Sequence, residues 1–346
     1  MFSQFSKILD RTFIIGYFLP LAAFLAASLW LLGIYALLPE SIDLSTTEVL
    51  RGTTVFGLIT WLGGMILVLL NRPIYQILEG YGAWNPVRLW GPIERRRFER
   101  LQSTADMLDK QSLDRPDLAD CLKDKRRKVL TELAERFPEK EWILPTSLGN
   151  IIRAFEVYPR IMYGLDDIYG WNRLLAVLPK SYITQIDDAK SQTDFWLNLT
   201  VLSFLALLEY AGFTIYTGHL RVYWFPALMV VSAFLAYKLA GGAALEWGEL
   251  IKSAYDVFLP KLIKEAHLQP PKTKDEDYEQ WHRFSQAIIY RRRDLLPERQ
   301  YASQEKSKPD SECDMVSDED QEKSSDVEAD ADEDDASNGH ESNEQM

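Results

Sequence analysis

Two ionisable residues stand inside long apolar runs, where a charge is costly and a polar role is most expected. Glu209 is the one acid in residues 195–220, and Lys238 is the one base in residues 222–245. A charged side chain at mid-bilayer costs a few kcal/mol and normally faces the protein interior. Counting from the Gly218 turn at about 1.5 Å per residue places Glu209 roughly 14 Å deep and Lys238 roughly 30 Å deep. Lys238 can therefore extend along apolar surface to the headgroups of the far leaflet. Glu209 has no such exit. It is either protonated and hydrogen-bonded between helices, or it lines a polar cavity that conducts.

A second concentration of reactive types lies at 144–180. There Arg153, Glu156, Arg160, Asp166, Asp167 and Arg173 alternate with Phe155, Tyr158, Tyr163, Tyr169 and Trp171. An ordinary surface helix has no need of so many large aromatics. The segment reads as a packed, ion-paired junction between cytoplasmic helices and the third span, or as a binding or gating element. Its candidate residues are Arg153, Glu156, Arg160, Asp166, Asp167, Trp171 and Arg173. The basic cluster at 123–128 is either a solvated face or a contact for anionic lipid headgroups. Trp84 and Trp90 have the types and position of interfacial anchors.

Other chemistry has little support. The four histidines, His219, His267, His282 and His340, show no ligand spacing, so no metal is expected. There is no phosphate-binding glycine loop and no nucleophile elbow. Asp166-Asp167 and Asp187-Asp188 are adjacent pairs whose side chains diverge on a helix. We expect no enzyme and no cofactor. Cys121 and Cys313 lack a metal-spaced partner and fit a reducing compartment, with a structural role for Cys121.

The elements that position these residues follow from charge distribution and hydropathy. The 346 residues carry 38 Lys+Arg against 51 Asp+Glu, but the acidic excess is local. Residues 303–346 hold 17 Asp+Glu, 3 Lys and no aromatic, leaving 35 basic and 34 acidic residues and all 42 aromatics in the rest. That distribution argues against a water-soluble two-domain enzyme and against a nucleic-acid binder. Four runs are long enough for a crossing of about 20 residues. Residues 12–39 contain no charge in 28 positions, and 52–71 none in 20. The first run far exceeds the apolar core of a signal peptide, about 7–15 residues, so it reads as a retained anchor.

Between the second and third spans lie 20 Lys+Arg, and positive residues favour the cytoplasmic side. Both termini and the middle segment are thus expected in the cytoplasm, in an inner membrane. The reading is all-α. It comprises an interfacial helix at 1–11, two transmembrane helices within 12–71 and a helical cytoplasmic module at 72–193. Two further transmembrane helices lie within 194–246, followed by cytoplasmic amphipathic helices at 247–302 and a disordered acidic tail at 303–346. Pro73 is expected to open a new helix after the second span, Gly149, Pro159, Gly164, Gly170 and Pro179 to break the junction, and the fourth helix to continue to about Pro260 and kink there. Ala236, Ala240 and Ala244 allow close helix approach, within the bundle or between subunits of a homo-oligomer.

The runs Leu148-Gly149-Asn150, Tyr163-Gly164-Leu165-Asp166, Trp171-Asn172-Arg173-Leu174 and Leu178-Pro179 resemble a pattern in uncharacterised bacterial multi-pass membrane proteins, across roughly residues 13–293. That resemblance implies no particular activity. The order of parts is also similar to that of bestrophin-type anion channels, and Asn71-Arg72, Tyr75, Glu79 and Arg88-Leu89-Trp90-Gly91 resemble their post-span segment. The second span departs from them, because Phe56, Trp61 and small residues replace the aromatic row of the pore neck. The expected function is a membrane-anchored scaffold or regulatory subunit, with protein partners at the module and tail and a lipid bilayer around the spans. The alternative is a homo-oligomeric ion channel or transporter with Glu209 in its path.

Overall fold

The computed structural model describes residues 10–35, 46–82, 85–115 and 118–296, with backbone alone at 46–48 and 167–168. The expected interfacial helix at 1–11 lies outside these residues apart from Asp10 and Arg11, as do Trp84, Cys313 and the acidic tail at 303–346. In order, the helices are α1 (Arg11–Ile34), α2 (Thr46–Glu79), α3 (Gly91–Asp114), α4 (Ala119–Arg136), α5 (Ser147–Tyr163), α6 (Asp167–Val177), α7 (Lys180–Thr217), α8 (Phe225–Glu265) and α9 (Lys274–Ile289). No strand occurs among the described residues, so the chain is all-α. Four helices, α1, α2, α7 and α8, are long and apolar enough to cross a membrane.

The polarity of α2 is that of a lipid-facing element. Leu58, Ile59, Leu62, Ile66 and Leu69 are exposed, while Gly63 and Gly64 face α1. In water such a face would need a partner; in hydrocarbon the lipid tails provide it. Within the bundle, Ala236, Ala240 and Ala244 are buried, which assigns this small-residue row to internal packing.

Hydrogen bonds between α1 and α7 fix the relative direction of these two spans. Tyr17 meets Asp194, Gly16 meets Asn198, Ser28 meets Glu209 and Tyr35 meets Thr214, at sequence offsets of 177, 182, 181 and 179. A nearly constant offset means that α1 and α7 run parallel. The last turns of α2 reach the same end, where Asn71 and Tyr75 bond Tyr17 and Asp194. The α7–α8 turn returns the chain, closed by Gly218 at φ +67. The start of α1, the end of α2, the start of α7 and the far half of α8 therefore share one side.

α7 and α8 contain 38 and 41 residues. At about 1.5 Å per residue each is about twice the ~30 Å hydrocarbon thickness, so both continue beyond the span as a stalk. α5, α6 and α9 pack on that stalk around Leu148, Ile151, Phe155, Leu174, Tyr255 and Trp281, all buried. Beside them α3 and α4 form a hairpin, tied by an edge-on contact of Phe98 with Phe137 at 5.7 Å and by Arg97–Glu132 at 2.8 Å.

Several expected breaks are absent. α2 continues through Pro73, α5 through Pro159, and α8 through Pro260 to Glu265. Pro260 lies exposed on the stalk, where solvent can satisfy the carbonyl it leaves unpaired. Gly149 and Gly170 serve close packing instead of breaking helices. A Cβ at Gly149 would lie 2.8 Å from the Glu79 carbonyl, and one at Gly170 2.7 Å from Leu165. Two of the expected breakers do act as such: Gly164, at φ +74, ends α5 with its N–H bonded back to the last turn, and Pro179 precedes the first residue of α7.

Candidate functional site

The most completely bonded polar cluster centres on Asp194, a residue the sequence pattern did not single out. α7 places Lys190 one turn before it, with Nζ 2.8 Å from Oδ2. Tyr17 donates to the same oxygen at 2.9 Å, and Tyr75 donates to Oδ1 at 2.8 Å. Asn71 Nδ2 donates to the Tyr17 hydroxyl at 2.7 Å. The Asp194 side chain is 5% exposed. Lys190 also lies over the rings of Tyr75 and Trp247, at 5.5 and 5.8 Å, so all four long helices meet here.

The local backbone is adapted to this cluster. α1 widens to a π-turn over Ile14–Phe18, with Leu19 N–H bonded to Ile14 O. Such turns often accompany functional positions. A Cβ on Gly16 would stand 3.3 Å from Asp194 Cβ, so glycine lets α1 lie against α7. Asn198 donates to the Gly16 carbonyl at 2.8 Å, while its Oδ1 is buried without a partner. With three donors on its two oxygens, the Asp194 carboxyl group is satisfied as an acceptor. It was missed because it sits one residue outside the apolar run, where acids are usually solvated; the Lys190–Asp194 spacing of four was the available signal.

Glu209 is half-buried and accepts from the Ser28 hydroxyl at 2.6 Å. The bond joins α1 to α7. Lys238 is exposed on α8, 5.7 Å from the Phe234 ring, and is not in contact with Glu209.

The junction residues divide into two groups. Arg153, Glu156, Arg160 and Asp166 line a cleft of about 430 Å³ together with Arg72 and Glu79 from α2 and with Trp142. Arg160 and Arg153 both lie over the Trp142 ring, at 4.8 and 5.2 Å. Such stacking fixes guanidinium groups that would otherwise be mobile. Arg153 pairs with Glu156 at 3.2 Å. Burial pushes the Glu156 carboxyl above its ordinary range, against the opposing pull of Arg153. Beyond the cleft, Tyr158 and Tyr163 both donate to Asp256 Oδ1, at 2.8 and 2.7 Å. Burial, reinforced by that bond, pushes Tyr158 up to about 12.

Trp171 and Arg173 do not belong to the cleft. Trp171 packs against Tyr255 at 6.0 Å, and Arg173 lies over Phe284 at 5.8 Å while donating to the Tyr169 carbonyl. Helical spacing explains the split, because both project from α6 onto the stalk and α9. The Asp167 side chain lies outside the described residues. Cys121 is exposed on α4, against the expected structural role. Among the described residues, no group of His, Cys, Asp and Glu could hold a metal ion. No protein-family model, curated protein or solved structure matches the chain.

Proposed function

We propose that this chain is an inner-membrane protein with both termini and residues 72–193 in the cytoplasm, acting as a membrane-anchored scaffold or regulatory subunit. The supporting observation is the mixed-charge cleft. One wall comes from the end of α2, with Arg72 and Glu79, and the other from α5, with Arg153, Glu156 and Arg160. A partner's charged segment seated there would touch a membrane helix and the cytoplasmic module at once. α2 is also the least embedded of the four, with 17% of its apolar window buried against 22–33% for the others. It is the helix most easily displaced by such a contact.

A second reading, a homo-oligomeric channel or transporter, is favoured by the polar row along α1 and α7 that includes Ser28–Glu209. Conductance of the purified chain in planar bilayers separates the two. The scaffold reading expects none above the lipid background, together with a discrete adduct to a second protein when a photoreactive residue replaces Arg160 in cells. A steady conductance whose ion preference changes in Glu209→Gln would establish the channel instead, because charge is what matters in a pore.

A further inference from the structure

We infer that a cavity between the α3–α4 hairpin and α8 binds the phosphate of an anionic lipid headgroup. It encloses about 970 Å³ and is lined by Arg97, Arg127, Lys128, Arg136 and Lys238. Two acids, Glu132 and Glu135, share the lining, so its formal charge is +3. Arg97 is already neutralised by Glu132 at 2.8 Å. Arg127 meets Asp124 only at 3.8 Å, with both groups more than two-thirds exposed, which is a weak pair. Lys128, Arg136 and Lys238 have no carboxylate within 4.0 Å among the described residues. Positive groups gathered around an open volume without matching anions leave a favourable place for one.

The remaining wall identifies the anion as part of an amphiphile. Lys238 stands on α8 among Phe234, Leu235 and Leu239, which are 60%, 53% and 48% exposed on a helix apolar enough to span a membrane. The basic cavity is thus continuous with surface that acyl chains would cover. A soluble phosphate would use the charges but not this apolar flank. Gly242, one turn beyond Lys238, keeps the floor open, since a Cβ there would meet nothing within 4 Å. The inference rests on α8 lying in a bilayer; it does not depend on the scaffold role.

The test uses the full chain in detergent, read by native mass spectrometry during titration with phosphatidylglycerol, phosphatidylcholine or inorganic phosphate. Phosphatidylglycerol should be retained one per chain at concentrations where phosphatidylcholine is not. Lys238→Gln and Arg127→Gln should each weaken retention about fivefold, as expected for one charge near a membrane surface. Gly242→Leu should weaken it as much or more with every charge in place. Arg115→Gln, an exposed base outside the cavity, should bind as the parent chain does. Equal retention of the two lipids, or unchanged retention in Gly242→Leu and Lys238→Gln, would overturn the site. Displacement of the lipid by equimolar inorganic phosphate would overturn the lipid assignment and leave a soluble-anion site. Membrane insertion of each variant, followed separately, reports on the bundle and not on this cavity.

Discussion

Asp194 illustrates how a buried charge can hold a membrane bundle together without being a reaction centre. Its oxygens accept from Lys190, Tyr17 and Tyr75, so removing the acceptor strands three donors on three helices. Asp194→Leu should destabilise the chain by about 3–5 kcal/mol, the usual result of breaking one side of a buried pair. Asp194→Asn keeps one acceptor oxygen and should lose less. Thermal unfolding in detergent would rank them, and a Leu variant as stable as Asn would refute the anchoring role. In the cleft, Glu156 makes a pH prediction. The folded chain holds its proton to higher pH than the unfolded chain does. Its contribution to stability is therefore complete below the ordinary carboxylate range and declines as pH rises through the raised value. Unfolding measured across a pH series should show that decline in the parent and a flatter profile in Glu156→Gln; parallel profiles would mean that Glu156 ionises normally in the fold. The cleft was half legible in sequence. The alternation of charge and aromatics marked Arg153, Glu156, Arg160 and Asp166, but Arg72 and Glu79 arrive from 74–94 residues earlier in the chain. Only packing of α2 against α5 brings them in, and no local spacing encodes that contact.

At the scale of elements, hydropathy located all four long helices because lipid reads apolar length directly, whereas their ends were misjudged. Pro73 and Pro260 were expected to mark boundaries, yet α2 and α8 pass through both. Tertiary packing along a long stalk outweighs a single missing hydrogen bond, especially where the freed carbonyl is exposed. The glycines carry the complementary lesson. Gly149 looks like a breaker in sequence, but it is the contact point where α5 rests on the last turn of α2. A Cβ there would meet Glu79 O at 2.8 Å and Glu79 Cα at 3.1 Å, both backbone atoms that cannot rotate away. Gly149→Ala should therefore destabilise by about 1–3 kcal/mol through overpacking. Gly212 lies within α7 with nothing within 4 Å of its Cβ position. Gly212→Ala should be neutral or stabilise by up to about 1 kcal/mol. Denaturation midpoints of the two variants compare the effects directly, and similar losses in both would show that helix propensity, not contact, governs these positions.

On the scale of the whole molecule, the parallel register of α1 and α7 makes topology a single question. Because the start of α1, the end of α2, the start of α7 and the stalk share one side, assigning any one of them assigns the rest. The 20 basic residues between the second and third spans are the reason for proposing that side as the cytoplasmic one. The tail enters only through composition: with 17 acids and no aromatic residue it has little to bury, so truncation after Gln300 should leave insertion and stability unchanged. Exposed Cys121 on α4 supplies a natural reporter of orientation. His219, exposed in the turn between α7 and α8, is the matching position at the opposite end. With Cys313 replaced by Ser, a membrane-impermeant maleimide applied to intact cells should leave Cys121 unmodified and label it after permeabilisation. With Cys121 also replaced, His219→Cys should be labelled in intact cells. The reverse pattern would invert the protein while preserving the shared side, moving the cleft and the basic cavity to the outer face. Labelling of both positions from outside would be more damaging. It would place the hairpin and the α7–α8 turn on the same side, which the α1–α7 register forbids.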